Sequence, residues 1–342
     1  MDLLPSDEQR EIISAAENFI AARMPVENIR RRIDEPMSVD IDIWREGAEL
    51  GLTTLGLPEE HGGSGRGLDD EALLFATLGQ HLATGPFLAT SLGARIAAHC
   101  GDTDLITKIT DGRTLVGLAE LRNDGAVGPD GFKGTFDLID AAGAGHLLVI
   151  AEDGAALVEA TEFTGVKTLE SIDPGTRLAT ATVTSGRILH WVSASADPIR
   201  TRALLLSAAG LAGVAQAAAD MATEHAKTRV QFGRPIGVHQ AVKHACTDMA
   251  VRADAARSQV YFAAAALQAG RRDSDFQVLA ARISSSRAAI DNGAANIQIQ
   301  GGMGYTYEHN AHLFLKRAHV LSHLVEEPTA ALAEFLEQGA PQ

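Results

Sequence analysis

The chain has 342 residues, of which 46% are hydrophobic and 21% charged, and its formal net charge is -15. A chain of this length removes about 75% of its unfolded surface from water, so it can form one large domain or two to three smaller ones. The acidic balance argues against a nucleic-acid-binding protein, because neutralising phosphates requires an excess of Lys and Arg over a continuous surface.

Neither secretion nor membrane insertion is indicated by the sequence. Cys100 and Cys246 lie far apart, so we predict neither a disulfide framework nor a thiolate zinc site, which fits a reducing cytoplasm. The N-terminal segment lacks the basic start, the continuous apolar core and the small-residue cleavage site of a signal peptide. We expect no later segment to be long and apolar enough to span a bilayer, and we predict a cytoplasmic protein with no membrane partner.

Residues 1–113 have the periodicity of helices. A stretch beginning at Ser6 resembles a capping box and precedes apolar residues at helical spacing. Further helices are predicted over residues 42–52, 72–82 and 89–100, and the stretch rich in glycine and proline after residue 52 separates the first two. We interpret this part as an N-terminal helical domain.

Residues 114–195 instead show short apolar runs separated by Gly, Asp and Pro, which is typical of antiparallel strands. The clearest hairpin has Asp153-Gly154 between the runs 147–150 and 156–158, because Asp-Gly readily adopts the positive φ angles of a tight turn. About 80 residues of this kind predict a small sandwich or barrel, which would form a middle β domain.

Residues 196–342 return to helix and are rich in alanine, whose high helix propensity and small side chain favour close packing. The whole chain is therefore predicted to have an α+β fold that is mainly α and ends in an antiparallel bundle. The predicted helices of that bundle cover residues 200–228, 240–267, 276–298, 311–324 and 329–337.

The segment RVQFGRPIGVHQ (residues 229–240) breaks this bundle between two long helices and carries side chains that suit a nucleotide. Arg229 and Arg234 offer planar guanidinium groups, which match a pyrophosphate. Gln231 adds a neutral amide, and Phe232 adds a flat apolar face that can cover a sugar or a base.

The segment QIQGGMGYTYEH (residues 298–309) offers a second set of contacts. The pair Gly301-Gly302 lets a backbone approach a ligand closely, and Gln298 supplies a hydrogen-bonding amide one helical turn earlier. Taken alone, each segment is explained as well by an inter-helix loop, one with surface arginines and the other with a glycine C-cap.

The two segments together resemble the acyl-CoA dehydrogenase family, in which RxxFG is followed about sixty residues later by QxxGGxGY. The passage WREGAELGLTTLGLPEEHGGSGRGLDD, beginning at Trp44, is similar to the helix, loop and helix around the PEExGG element of that family. The resemblance implies a helical N-terminal domain (1–113), a middle β domain (114–195) and a C-terminal four-helix bundle (196–342).

The resemblance also implies FAD as the cofactor, an acyl-CoA thioester as the substrate and electron transfer flavoprotein as the electron acceptor. In the family, these C-terminal segments reach across a subunit interface to the ADP half of a neighbouring FAD. Matching motif to motif assigns cofactor contacts to Arg229, Gln231, Phe232, Gln298, Gly301 and Gly302.

Two features depart from the family pattern, and the first concerns the base. The family removes the α-proton of the substrate with a carboxylate, which commonly lies just beyond GGxGY and the following helix. Ungapped alignment places Val325 there, and the neighbouring Glu326 is the catalytic candidate that remains. Glu326 and Glu327 are equally explained as charges before a helix N-terminus. Other members carry the base where this chain has Ala203, on a turn without an acid.

The second departure lies in the β domain. The family's TEPxxGSD-like flavin platform corresponds to LVGLAELRNDGAVGP, in which Glu120 keeps the register but the threonine, the proline and Gly-Ser-Asp are missing. The domain is also shorter than usual for the family. With these losses, the chain resembles the short subunit of heteromeric actinobacterial acyl-CoA dehydrogenases. Such short subunits form α2β2 heterotetramers with a full-length partner, and the known enzymes act on steroid-derived CoA thioesters.

Three alternatives stay open at this point. The chain could be a self-sufficient homo-oligomeric dehydrogenase with Glu326 as its base, or a structural subunit without flavin contacts. It could also be a helical metal protein, because His312, His319 and His323 share one helix face near Glu326. We predict no metal site, since three ligands spread over more than two turns are too far apart for one tetrahedral ion.

Overall fold

The computed structural model describes residues 5–338, and of residues 123 and 124 it describes the backbone alone. The first helix begins with the predicted capping box, in which Ser6 Oγ accepts a hydrogen bond from the Gln9 amide (3.2 Å) and Gln9 Oε1 accepts one from the Ser6 amide (2.9 Å). The helices that precede the sheet are α1 (Asp7–Arg23), α2 (Glu27–Arg31), α3 (Ile41–Glu49), α4 (Leu68–Gln80), α5 (Phe87–His99) and α6 (Thr103–Thr110).

Two of these helices were not predicted, and one begins earlier than expected. Both α2 and α6 are too short for a clear apolar period, but α6 is held by a cap: Asp102 accepts a hydrogen bond from the Leu105 amide at 3.0 Å. Helix α4 begins at Leu68 rather than residue 72, because Asp69, Asp70 and Glu71 in its first turn interact favourably with the helix dipole.

The middle of the chain forms one seven-stranded sheet in the order β5-β6-β2-β1-β3-β4-β7. The prediction of an antiparallel sandwich or barrel is therefore wrong in two respects. The strands form one open sheet with two edge strands, β5 and β7. In addition, β1 pairs with β3 in parallel. The reason is that β2 folds back on one side of β1, whereas the chain crosses over and returns on the other side as β3. The strands are β1 (Val116–Gly128), β2 (Gly131–Ile139), β3 (His146–Ala151), β4 (Gly154–Glu159), β5 (Lys167–Leu169), β6 (Leu178–Gly186) and β7 (His190–Ser193).

The predicted hairpin is present, with its turn one residue earlier than expected. Ala151 pairs with Gly154, so the turn residues are Glu152 and Asp153, and Gly154 already belongs to β4. The sheet core is built around three aromatic rings with centroids 5.3 to 5.5 Å apart, namely Phe132, Phe136 and Phe163. The α5 residue Thr90 holds β1 by bonding both the amide and the carbonyl of Val116, at 3.1 and 3.2 Å.

The C-terminal part is helical, as predicted, and its long helices begin and end within two residues of the predicted positions. A two-stranded hairpin, β8 (Val230–Gln231) and β9 (Arg234–Pro235), interrupts it. The predicted α+β class, mainly helical with a β segment in the middle of the chain, is confirmed. The helices are α7 (Ile199–Thr228), α8 (Gln240–Gln268), α9 (Ser274–Gln300), α10 (Ala311–His323) and α11 (Pro328–Gln338).

The chain forms two compact units that are not continuous in sequence. One unit comprises Met1–Glu27, Ala72–Ala83 and Leu204–Gln342, and the other comprises Asn28–Glu71 and Thr84–Ala203. The first contains most of the long helices, and the second contains the sheet with α5 and α6. The three consecutive domains expected from the sequence stay a prediction.

Within the helical unit, α4 and α7 approach so closely that glycine is required at the contact. A Cβ on Gly213 of α7 would lie 1.9 Å from the Ala76 carbonyl oxygen of α4, and a Cβ on Gly79 of α4 would lie 1.9 Å from the Gly210 carbonyl oxygen. Neither helix backbone can move away without separating the buried residues around it. The two glycines therefore set the distance between these helices.

Helix α7 corrects one expectation from the sequence. It has 30 residues and, by length and composition alone, is apolar enough to cross a membrane, which we had not expected of any segment. However, 78% of its most apolar 18-residue window is buried inside the protein. A helix that is apolar on all sides is what the core of a large helical unit requires.

We predict opposite effects of alanine at two glycines of α7. Gly213→Ala should lower the free energy of unfolding by about 3 kcal/mol through overpacking against α4. Gly210→Ala should be neutral or raise that free energy by up to about 1 kcal/mol, since its Cβ would be 3.7 Å from the nearest atom and alanine favours helix. Urea unfolding of both variants tests this, and equal effects would contradict the close approach.

Candidate functional site

The hairpin between α7 and α8 carries three of the predicted cofactor contacts. Val230 pairs with Pro235 and Gln231 pairs with Arg234, which leaves Phe232 and Gly233 as the two turn residues. Their φ angles are 52° and 77°, as a type I′ turn requires. The local sequence therefore folds into a tight hairpin that holds an aromatic residue at its tip.

The position of Phe232 is unfavourable in free energy for two reasons, its backbone conformation and its exposure to water. A left-handed backbone conformation costs a residue with a side chain roughly 1–2 kcal/mol, and glycine would avoid this cost. The phenyl ring is also 93% exposed, so its apolar surface gains nothing from burial in this chain. A strained and exposed aromatic residue is a reason to look for a ligand or a partner at that point.

The other hairpin side chains also face outwards. Arg229 is exposed, and its backbone amide donates to the His225 carbonyl oxygen at 2.8 Å, which continues the last turn of α7. Gln231 is exposed and donates one amide hydrogen to the Val230 carbonyl oxygen at 2.8 Å. The guanidinium of Arg229 and the remaining amide groups of Gln231 are thus accessible to a ligand.

The second predicted segment follows the end of α9. Gly301 has a φ of 67° and begins a short 3-10 helix, Gly301–Tyr305. No atom lies within 4 Å of a Cβ placed on Gly301 or on Gly302, so the space above this backbone is open. Gln298 is exposed one turn earlier, and Tyr305 is 83% exposed.

The structure brings the two segments together at one end of the helical unit. His225, on the last turn of α7, has its pKa lowered by partial burial and by the positive charges of Arg229 and His309. Arg229 belongs to the first segment and His309 closes the second, so both lie within electrostatic range of the same imidazole. One residue from each segment therefore lies near His225, so the two segments meet in one neighbourhood at this point.

That neighbourhood is a surface rather than a pocket of this chain. An open groove of about 490 Å³ lies beside the hairpin and is lined by α7, Pro235 to Val238 and α8. None of the six predicted contact residues lines it. A ligand held by these six residues would lie outside the groove and would need another surface to enclose it.

The position where the family commonly carries its base holds a strained valine. Val325 follows the end of α10 and has a φ of 70°, an unusual conformation for a β-branched residue. The buried Arg282 fixes the preceding residue by donating to the Leu324 carbonyl oxygen at 2.7 Å. Glu326 is half-buried in the same turn, and α11 starts at Pro328, as expected if Glu326 and Glu327 precede a helix N-terminus.

The alternative base position holds Ala203, which is fully buried on α7. Sequence reasoning found no acid on that turn and missed one that comes from α4. The guanidinium of Arg202 lies 3.8 Å from a carboxylate oxygen of Glu71 and 3.1 Å from one of Asp197. Arg95 forms an ion pair with the same Asp197.

Glu71 is the most perturbed carboxylate near that turn. Burial raises its pKa, and the charges of Arg202 and Arg95 oppose this rise. A Cβ on Gly56 would lie 2.3 Å from the Glu71 carboxyl carbon, so Gly56 provides the space for this group. Two acids and two arginines share the site, which is the arrangement of a buried structural ion-pair network. No sequence pattern distinguishes Glu71 from the neighbouring acids of α4.

The alternative of a helical metal protein is not supported by the structure. His312 is buried, stacks on Tyr307 and donates from Nε2 to the carbonyl oxygen of the same tyrosine at 3.2 Å. Across residues 5–338, no group of three or more His, Cys, Asp or Glu side chains is placed to hold a metal ion. His312 is therefore held by contacts with Tyr307 within the chain.

We predict that Glu71 makes stability depend on pH. Because its pKa is raised in the folded state, the folded state binds the proton more tightly than the unfolded state. Ionising Glu71 therefore costs the folded state free energy. This cost grows as the pH rises from about 4.3, the ordinary pKa of Glu, through the raised pKa of the folded state. The stability of the unmodified protein relative to Glu71→Gln should therefore fall as the pH rises.

Urea unfolding of both proteins between about pH 4 and pH 7 measures this difference. Glu49→Gln, at an exposed position of α3, controls for the loss of one charge. If the free energy of unfolding of the unmodified protein, relative to Glu71→Gln, instead rises with pH, burial is not the dominant influence on the pKa of Glu71.

Comparison with known proteins agrees with the fold. Residues 6–109 match the model of the acyl-CoA dehydrogenase N-terminal domain, and residues 201–324 match that of the C-terminal domain. The chain is 31% identical over 333 residues to acyl-CoA dehydrogenase IpdE2 of Mycobacterium tuberculosis, with 96% of each protein covered. It is 30% identical to IpdE2 of Mycolicibacterium smegmatis, with 95% of this chain and 97% of that protein covered.

Solved structures share the same fold at lower identity. The ChsE4-ChsE5 complex from Mycobacterium tuberculosis matches with a TM-score of 0.86 at 22% identity over all of both chains. Butyryl-CoA dehydrogenase from Megasphaera elsdenii matches with a TM-score of 0.84 at 19% identity over 99% of both. The Tcur3481-Tcur3483 steroid ACAD matches with a TM-score of 0.84 at 24% identity over 97% of both. The chain belongs to the acyl-CoA dehydrogenase family of oxidoreductases, which act on CH-CH bonds.

Proposed function

We propose that this chain is the short subunit of a heteromeric acyl-CoA dehydrogenase and completes a FAD site located mainly in a full-length partner. Its contribution would be to the ADP half of the cofactor. The residues that would make these contacts are Arg229, Gln231, Phe232, Gln298, Gly301 and Gly302.

The observation that carries this proposal is the outward direction of the contact residues. Phe232 is 93% exposed at the tip of a strained turn, and Arg229, Gln231 and Gln298 are exposed as well. A dinucleotide held only by such a surface would remain largely in water and would bind weakly, since ligand sites bury most of their ligand. A second chain that encloses the same cofactor removes this difficulty.

The chemistry of the residues fits the adenosine and pyrophosphate groups of FAD. Arg229 can donate two parallel hydrogen bonds to a pyrophosphate, and the ring of Phe232 can cover the adenine. The open space above Gly301 and Gly302 allows the backbone to approach the ligand. When bound, FAD supplies the acceptor for the hydride that leaves the β-carbon of an acyl-CoA thioester during α,β-desaturation.

The catalytic carboxylate would come from the partner. Val325 and Ala203 occupy the two positions where the family carries a base, and neither side chain can accept a proton. Glu71 is committed to a buried network with Arg202, Asp197 and Arg95. These residues support a division of labour in which this chain binds and the partner performs the proton transfer.

The relatives support the same assembly and suggest a substrate class. The neighbouring structures include the ChsE4-ChsE5 complex and a protein described as a steroid ACAD. By analogy, we propose an α2β2 heterotetramer that acts on a steroid-derived CoA thioester and passes electrons to electron transfer flavoprotein. Cys100 and Cys246 are both free thiols, which supports a cytoplasmic location.

Arg229→Ala tests the cofactor contact directly. Loss of charge-assisted hydrogen bonds to a pyrophosphate should weaken FAD binding by the assembled complex roughly 10- to 100-fold. The melting temperature of the isolated chain should not change, because Arg229 is exposed. FAD affinity is measured by titrating the FAD-free complex and following flavin fluorescence.

Arg271→Ala is the matched control for this experiment. Arg271 is also an exposed arginine, but it precedes α9 and therefore lies at the opposite end of that helix from Gly301. Its replacement should leave FAD affinity unchanged. Equal affinity of the Arg229→Ala complex and the unmodified complex would overturn the proposal and favour a structural subunit without flavin contacts.

Glu326→Gln separates the shared site from a self-sufficient enzyme. If the partner supplies the base, the complex with this variant should keep its turnover within about threefold, whereas removal of a general base costs roughly 10²- to 10⁴-fold. Steady-state reduction of an artificial electron acceptor by an acyl-CoA measures the difference. A loss of the larger size would identify Glu326 as the base and favour the homo-oligomeric alternative.

A further inference from the structure

Helix α9 carries a row of buried amides that leads to the second cofactor segment. Asn292, Asn296 and Gln300 are spaced four residues apart and therefore lie on one face of the helix. Asn292 and Asn296 are fully buried, and Gln300 is 6% exposed. Uncharged amides are rarely buried in such a row unless their hydrogen bonds are satisfied.

The first amide of the row joins three helices. Asn292 Nδ2 donates to the carbonyl oxygen of Ala215 on α7 at 3.0 Å and to that of Met249 on α8 at 2.9 Å. Its oxygen accepts a hydrogen bond from Arg252 Nε at 2.9 Å. This residue fixes α9 near the middle of α7 and α8.

The other two amides hold the end of α9 against a single residue of α7. Asn296 Nδ2 lies 3.3 Å from the sulfur of Met221, and Gln300 Nε2 donates to the Met221 carbonyl oxygen at 3.3 Å. Gln300 Nε2 also lies 3.3 Å from Asn296 Oδ1, so the two side chains brace each other. The two bonds from Gln300 to oxygen atoms are long, and the effect of the three contacts depends on their acting together.

Such bonds do something that apolar packing cannot. Apolar side chains tolerate small translations of one helix along another, since contact area changes little during the movement. A buried hydrogen bond is directional, and a shift that breaks it leaves a desolvated polar group without a partner. The row therefore opposes sliding and rotation of α9 against α7.

The row ends at the two segments that the proposed function assigns to FAD. Gln300 is the last residue of α9, and a Cβ on Gly304 would lie 2.6 Å from the Gln300 Cβ, so the glycine loop folds back over this side chain. Met221 lies on α7, about two helical turns before Arg229, which directly follows the last residue of that helix. The hydrogen bond between Gln300 and Met221 thus joins α9, which leads into the glycine loop, to α7, which leads into the hairpin.

We infer that Asn296 and Gln300 are positioning residues, which hold the Gly301-Gly302 backbone at a fixed distance from Arg229 so that both can contact one dinucleotide. This inference rests on the proposed function. Neither amide would touch FAD, because both are buried beneath the loop. Their effect would reach the cofactor through the register of α9.

Gln300→Met tests the inference because methionine has a similar shape but lacks the amide. We expect the FAD-free complex that contains this variant to bind FAD roughly tenfold more weakly, since misplacement of contact groups by about 1 Å is costly. Gln277→Met is the matched control. Gln277 is a buried glutamine of the same helix, 8% exposed, and its amide oxygen accepts a hydrogen bond from Gln259 of α8 at 3.0 Å.

Both substitutions remove a buried amide and should lower the melting temperature of the complex. FAD affinity should fall for Gln300→Met alone, because Gln277 lies at the far end of α9 from the glycine loop. Equal losses of FAD affinity in the two variants, or no loss in either, would overturn the inference. If Gln300→Met does not fold, Asn296→Ser takes its place, because it removes the oxygen near Gln300 Nε2 with a smaller change.

Arg229→Ala, measured in the same titration, separates this inference from the proposed function. If Arg229→Ala weakens FAD binding and Gln300→Met does not, the positioning role fails while the shared cofactor site stands. If Arg229→Ala leaves FAD binding unchanged, the shared site itself fails, and the positioning role fails with it.

Discussion

Phe232 is held at the tip of a two-residue turn that demands a positive φ, and its ring is 93% exposed. The cost of that conformation is of the order of 1–2 kcal/mol and is not recovered by burial within the chain. Around it, Arg229, Gln231 and Gln298 also face outwards. This geometry presents side chains suited to a dinucleotide on an exposed surface instead of in a pocket. The proposed shared site depends on it.

The rest of the helical unit is rigid where that surface needs support. Gly213 brings α7 into backbone contact with α4, and Asn292 holds the middle of α9 between α7 and α8. Closer to the surface, Asn296 and Gln300 fix the end of α9 to Met221. Exposed contact residues on a well-packed support are what a subunit needs if it binds a cofactor from outside.

The two positions where the family commonly carries its base hold Val325 and Ala203 in this chain. Val325 has a left-handed φ, and the residue before it, Leu324, accepts a hydrogen bond from the buried Arg282. The buried acid nearest to the alternative position, Glu71, is part of an ion-pair network with Arg202. Retained binding surface and missing base are consistent with one subunit of a shared site.

Sequence alone predicted the long helices closely, because periods of alanine and leucine over 25 or more residues leave little ambiguity. It also placed the break between the helices at residues 229–240, since Gly and Pro interrupt helices strongly. It missed α6, whose eight residues depend on the Asp102 cap, and it missed the parallel pairing of β1 and β3. The cap is a local contact that an eight-residue apolar period does not reveal, whereas the parallel pairing depends on residues distant in sequence.

For the candidate site, too, the sequence predicted one part and the folded structure was needed for the other. The motifs identified the two segments, but the common position of Arg229 and His309 near His225 follows from helix packing. Neither the Glu71 network nor the buried amides could be found in this way. A buried Gln300 and an exposed Gln298 stand two residues apart in the same motif, and the fold alone distinguishes them.

The most direct test of the shared site is the FAD content of the purified protein, alone and with its partner. The chain is expressed by itself and together with a full-length acyl-CoA dehydrogenase subunit as partner, and flavin is quantified after denaturation. We predict a colourless isolated chain and about one FAD per heterodimer in the complex, as expected for one working site per pair of unlike subunits. An isolated chain that purifies with about one FAD per subunit, in a homo-oligomer that oxidises an acyl-CoA, would contradict the account.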